Sequence, residues 1–118
     1  MLEIFYKNKN INEYCNNLRL VQKDYGFELA KKLSQRESEL VSFNNVNELL
    51  NSGIDNPHML TGNLDGCIAW DLTSQVRIII RIEEKFNEFT KENLINIRKV
   101  TIEGVIDYHG GNSKWLIN

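Results

Sequence analysis

The hydrophobic period changes near residue 57, and that change limits what the chain can fold into. From Ile11 to Phe43 apolar residues recur at helical spacing: Ile11, Tyr14, Cys15 and Leu18, then Phe27, Ala30 and Leu33, then Leu40, Val41 and Phe43. Gly26 falls at a break, so this stretch reads as two helices. After the Asn44-Asn45 cap a short third helical turn over Val46 to Leu50 ends at Asn51-Ser52-Gly53. Pro57, the only proline, closes the helical half.

Beyond Pro57 the period is two. His58 to Leu60 reads as a short strand, Thr61 to Gly66 as a turn, and Cys67 to Leu72 alternates with Ile68, Trp70 and Leu72 on one face. The run Val76 to Ile82 puts Val76, Ile78, Ile80 and Ile82 on one side and Arg77, Ile79 and Arg81 on the other. An acidic, mixed segment from Glu83 to Ile97 reads as a solvated insertion or a partner-docking element. A last strand then runs from Arg98 or Lys99 to about Tyr108, with Val100, Ile102 and Ile106 facing the core against Thr101, Glu103, Asp107 and His109. At the other end, Leu2 to Tyr6 combines aromatic and branched residues in a strand, and the Asn-rich stretch Asn8 to Asn12 supplies helix-start residues. The tail Lys114-Trp115-Leu116-Ile117 is apolar enough to pack on the sheet edge or on a partner.

The expected fold is therefore α+β: an N-terminal strand, two to three helices, then a three- to four-stranded, mainly antiparallel sheet with helices on one face. At 118 residues the chain reads as one domain over 1–118. Fourteen basic against 16 acidic side chains give a net charge of −2, so no bulk positive field marks a nucleic-acid binder, and any such role needs a local patch. No stretch has the apolar length of a signal region or membrane span, so the expected location is cytoplasmic. The two cysteines, Cys15 and Cys67, are far apart with no CxxC pair and read as buried thiols.

Covering one sheet face with helices leaves the other for function. Strand alternation sends Arg77, Arg81, Asp107 and His109 to that open face, and His58 begins the neighbouring hairpin. Two imidazoles, a guanidinium and a carboxylate suit a phosphodiester. RNA cleavage by its own 2′-hydroxyl needs a base for that proton, an acid for the 5′-oxygen and a cation beside the phosphoryl oxygens; histidine and arginine supply these without a metal or cofactor. Each residue also has a structural reading: His58 as a hydrogen-bonded surface histidine, the arginines as cross-strand partners of Glu103 or Asp107, and Asp107-Tyr108-His109 as a strand end.

Taken together, Pro57-His58-Met59-Leu60-Thr61-Gly62, the turn to Gly66, Trp70, Arg77-Ile78-Ile79 and Ile106-Asp107-Tyr108-His109-Gly110 resemble the HigB or "proteic killer" branch of the RelE/ParE toxin superfamily. The resemblance spans nearly the whole chain. It implies a RelE-like fold and a type II toxin: a ribosome-dependent, metal-independent mRNA endonuclease held inactive by a cognate helix-turn-helix antitoxin. DNA would be bound only through the antitoxin complex. Carried over by position, His58 matches the acid/base histidine, Arg77 the arginine at the scissile phosphate, and Asp107, Tyr108 and His109 the carboxy-terminal catalytic triplet. Arg81, Arg98 and Lys99 are candidate substrate contacts.

On alternation alone Tyr108 joins the open face only through a bulge or a strand end. Two positions depart from the family pattern: Thr61 stands where lysine is frequent, and Leu64 where a basic turn residue is frequent, which removes two phosphate contacts. Two alternatives follow, a ParE-like non-enzymatic gyrase inhibitor and a degenerate toxin serving only as an antitoxin-binding module.

Overall fold

A computed structural model describes residues 1–86, 88–109 and 111–118. The chain runs β1 (Glu3–Tyr6), α1 (Lys9–Cys15), α2 (Leu18–Tyr25), α3 (Phe27–Ser42), α4 (Val46–Leu50), β2 (His58–Met59), β3 (Cys67–Asp71), β4 (Val76–Ile82), α5 (Lys91–Ile95), β5 (Lys99–His109) and β6 (Asn112–Ile117). Among the described residues these strands form one six-stranded sheet in the order β1-β5-β4-β3-β2, with β6 pairing the far half of β5. The β1–β5 pair is parallel and the others are antiparallel. The α+β plan holds with more strands than expected, because the tail 112–117 is itself a strand and pairs with β5.

The helical half begins where its asparagines allow. Side chains of Asn8, Asn17 and Asn45 accept hydrogen bonds from the backbone N–H groups of Ile11, Leu20 and Glu48, occupying donors that a helix start leaves free. The expected pair of helices over Ile11 to Phe43 is three, since Asn16-Asn17 interrupts the first. Gly26, at φ +95°, caps α2 and opens α3. This turn resets the helical phase. The α3 stripe is Leu29, Ala30, Leu33, Arg36 and Leu40, whereas Phe27, expected in the core, lies outside it and is 64% exposed.

The core lies between this layer and one sheet face. It joins Ile11, Val21, Leu33 and Leu40 to Ile68, Trp70, Ile78, Ile80, Val100 and Ile102. Among the described residues its one buried cation is Arg36, whose Cζ lies over the Trp70 ring at 5.3 Å. Arg36 donates to the Asp71 carbonyl at 3.0 Å and to Glu39 at 2.6 Å, and pairs with Asp55, while Trp70 Nε1 donates to the Ile54 carbonyl at 2.6 Å. A buried charge left unpaired costs about 3–5 kcal/mol, so these contacts clamp the loop 51–57 on the sheet edge. The clamp delivers His58 to β2.

The segment 83–97 is only partly the solvated insertion expected. Leu94 and Ile97 are buried, and Phe89 packs on the main core. Cys15 and Cys67 are buried free thiols, as read from the sequence.

Candidate active site on the open sheet face

The open face depends on one irregularity in β5. Ile79 pairs with Gly104, but Ile80 pairs with Ile102, so Glu103 is an extra residue and β5 carries a bulge. Gly104 sits at φ +148°, and a Cβ there would lie 2.3 Å from the Ile117 carbonyl oxygen and 2.8 Å from the Trp115 ring. No larger side chain fits this crossing. Because alternation inverts at the bulge, Val105 joins Val100 and Ile102 in the main core, and Ile106 turns to the open face.

This corrects the uninterrupted alternation expected for β5. Ile106 does not face the helices, and Asp107 and His109 do not join Arg77. Arg77 instead pairs across the ladder with Ile106, and Asp107 with Val76, whose side chain packs on the helix-side core. Asp107 Oδ1 is buried without a hydrogen-bond partner among the described residues. His109 is exposed at the strand end, with Nδ1 2.9 Å from Gln75 Oε1. Tyr108, which needed a bulge to reach the open face, has one. The interior glycine after Glu103 was the available signal, since a glycine within a strand pattern marks a bulge or a close approach of backbone. Gly110, the last residue of the motif, lies outside the described residues.

The floor of this face is a second apolar cluster of Cys67, Ala69, Ile79 and Ile106, rimmed by Leu60, Leu64, Tyr108 and Trp115. A groove of about 230 Å³ runs over it, lined by the 60–64 turn, Ile106, Tyr108, Ser113 and Trp115. Thr61 and Leu64, where basic residues were expected from the resemblance, are both in its wall, and none of its described lining residues is charged.

Three candidate side chains border this floor. His58 pairs with Ala69 across the ladder and therefore shares its face. Its ring is half-buried, with Nδ1 2.9 Å from the Asn56 carbonyl oxygen. A carbonyl can only accept, so Nδ1 donates in this contact, and Nε2 has no hydrogen bond among the described residues. Arg77 lies over the Tyr108 ring at 4.9 Å, and its Nε donates to Asp71 Oδ1 at 2.8 Å. From the strand spacing, two strands across and two residues along, the His58 and Arg77 backbones stand about 12 Å apart on either side of β3. Proton transfer and phosphate contact can thus act on two sides of one bound strand.

The remaining candidates are not gathered here. Arg81 is on the open face but pairs with Glu103, which is 6% exposed and also meets Lys7 at 3.5 Å. The hydrogen bond to Glu103 holds the Arg81 pKa above its ordinary value. Arg98 and Lys99 are exposed at the β1 end of β5, about 30 Å along the strand from Tyr108. Among the described residues no group of three or more His, Cys, Asp or Glu side chains gathers as a metal-ligand set. No described helix is long and apolar enough to cross a membrane.

The same architecture occurs in solved toxin structures. The YoeB–YefM complex from Staphylococcus aureus superposes with a TM-score of 0.55 at 17% identity, covering 92% of this chain and 98% of that one. A heterotetrameric YoeB–YefM toxin–antitoxin complex from the same organism gives the same values. A YoeB/ParE toxin from Agrobacterium tumefaciens superposes with a TM-score of 0.52 at 12% identity, over 92% and 99% of the two chains. No family model and no curated relative matches the sequence. The chain shares the fold of these YoeB and YoeB/ParE toxins, and the neighbours do not single out the HigB branch.

Proposed function

We propose that this chain is the toxin of a type II toxin–antitoxin pair, of the HigB kind, and that it cleaves mRNA on the ribosome with its open sheet face. The observation that carries this reading is the placement of Arg77, held by Asp71 and Tyr108, on the same face as a histidine whose Nε2 has no hydrogen bond among the described residues. In the proposed reaction His58 Nε2 takes the 2′-hydroxyl proton and Arg77 meets the charge that develops on the phosphoryl oxygens. With His109 turned to the far side, the proton for the 5′-oxygen comes from the Tyr108 hydroxyl. Asp107, His109, Arg98 and Lys99 are left without a direct part. The toxin–antitoxin complexes among the structural neighbours support a partner antitoxin, whose helix-turn-helix would account for any DNA binding, and a cytoplasmic site of action goes with this role.

The test is expression without an antitoxin, with primer extension on cellular mRNA. Discrete cuts at the ribosomal A site are expected. They should fall about 10²- to 10⁴-fold in His58→Ala and about 10²- to 10³-fold in Arg77→Ala, with both variants folded. Full cleavage by both folded variants would remove the mechanism. A second reading, a non-enzymatic binder of gyrase or of the antitoxin alone, is favoured by the uncharged groove and by the neutralisation of Arg81. Growth arrest with a DNA-damage response and no mRNA cuts would select gyrase. Absence of any toxicity would select the antitoxin-binding module.

A further inference from the structure

We infer that Asp71 is a positioning residue that fixes the Arg77 guanidinium for an incoming phosphate. This rests on the nuclease reading above. Arg77 is restrained in two directions: its Nε donates to Asp71 Oδ1 at 2.8 Å, and its Cζ lies over the Tyr108 ring, 4.9 Å from the centroid. The Nε–H is thereby occupied and the guanidinium rests on an aromatic ring. Both Nη groups have no protein hydrogen bond among the described residues, which leaves a two-pronged donor edge of the kind that receives phosphate oxygens.

Asp71 is itself held. Its N–H donates to the Asp55 carbonyl at 3.1 Å, and its own carbonyl accepts from the buried Arg36 Nε at 3.0 Å. Arg36 also pairs with Asp55 and lies over Trp70, so the carboxylate grows from a backbone pinned on both sides. The contrast with Arg81 is informative. Arg81 is also paired through Nε, but with a buried carboxylate that Lys7 shares, whereas the Asp71 carboxylate beside Arg77 is 27% exposed at the side chain. With no charged residue in the described groove wall, the aim of this one guanidinium governs phosphate placement.

The experiment compares Asp71→Ala and Asp71→Asn with the native chain in a reconstituted translation system, measuring the mRNA cleavage rate at saturating toxin and the toxin concentration at half-saturation. Asparagine keeps an acceptor oxygen for Nε, and alanine removes it. Asp71→Ala is expected to lose about 10- to 100-fold in saturated rate with little change in half-saturation, and Asp71→Asn to stay within about threefold of native. An Asp71→Ala variant as active as the native chain, or equal losses in both variants, would overturn the inference. A parallel NMR measurement follows the Arg77 Nε–H signal, expected in the native and Asn forms and broadened by solvent exchange in the Ala form. A native chain that cuts no mRNA overturns the nuclease reading alone. The Nε–H signal still decides then, since its persistence in Asp71→Ala would show that Asp71 does not fix Arg77.

Discussion

The two faces of the sheet are made by the same strands yet are filled differently. On one, Ile68, Trp70, Ile78 and Ile80 meet side chains from the helices, and the cluster extends through the whole layer. On the other, Cys67, Ala69, Ile79 and Ile106 are just as inaccessible, but among the described residues the apolar side chains packed on them are Leu60, Leu64, Tyr108 and Trp115, and none comes from a helix. A short apolar floor without a helix above it can be roofed only by its own rim. The rim therefore carries the polar chemistry, and the helix side carries the stability.

The most severe way to break this arrangement is Gly104→Val. With the Ile117 carbonyl 2.3 Å from any Cβ and φ at +148°, the bulge cannot form as it stands. A loss of more than about 4 kcal/mol is expected, read as failure to give a cooperative urea transition; a valine variant with native stability would show that the bulge does not set the parity of β5. Next come Ile80→Ala and Ile79→Ala, both fully buried in the native chain. Ile80 should cost about 3–4 kcal/mol and Ile79 about 2, because the rim above Ile79 can settle or admit water while the helix layer cannot. Equal losses in urea melts would mean that the open face is packed as rigidly as the core.

A smaller effect concerns the helix layer itself. Tyr6 donates to Glu37 Oε1 at 3.3 Å, and burial pushes the Glu37 carboxyl up to about 7 from an ordinary 4.5, against the opposing hydrogen bonds of Cys15 and Tyr6. Since its folded value is raised, the folded chain holds this proton where the unfolded chain has lost it. The destabilisation is absent below about pH 4, grows between 4.5 and 7, and is complete above that. Discounted for partial exposure, it amounts to about 1–2 kcal/mol. Glu37→Gln should therefore gain about 1 kcal/mol at pH 8 and nothing at pH 4.5, and the same gain at both pH values would remove this account. Smallest is Asn45→Ala, which frees the Glu48 N–H and should cost about 0.5–1 kcal/mol in thermal melts while leaving the open face intact.

Much of this was legible in the chain. Asn8 and Asn45 announced their helices, and the alternation through Val76–Ile82 named the core side of β4 and sent both arginines away from it. Arg81 found the cross-strand partner that its spacing allowed, Glu103, whereas Arg77 took Asp71 from β3 instead of Asp107. Beyond Glu103 the reading of β5 inverted. Periodicity counts residues and cannot see which of them a bulge leaves unpaired, although Gly104 offered a hint. Arg36 was invisible for a different reason. Its partners Asp55 and Glu39 and the Trp70 ring lie on separate elements, and a charge at a core position has no period of its own.

By itself the sequence determined the change from helices to strands at Pro57 and the core side of β3 and β4, because these follow from local backbone preference and from the spacing of apolar side chains. Only the tertiary structure decided which of Asp107, Tyr108 and His109 meets Arg77. That choice depends on Trp115 and the Ile117 carbonyl closing over Gly104, a contact between strands that no local pattern encodes.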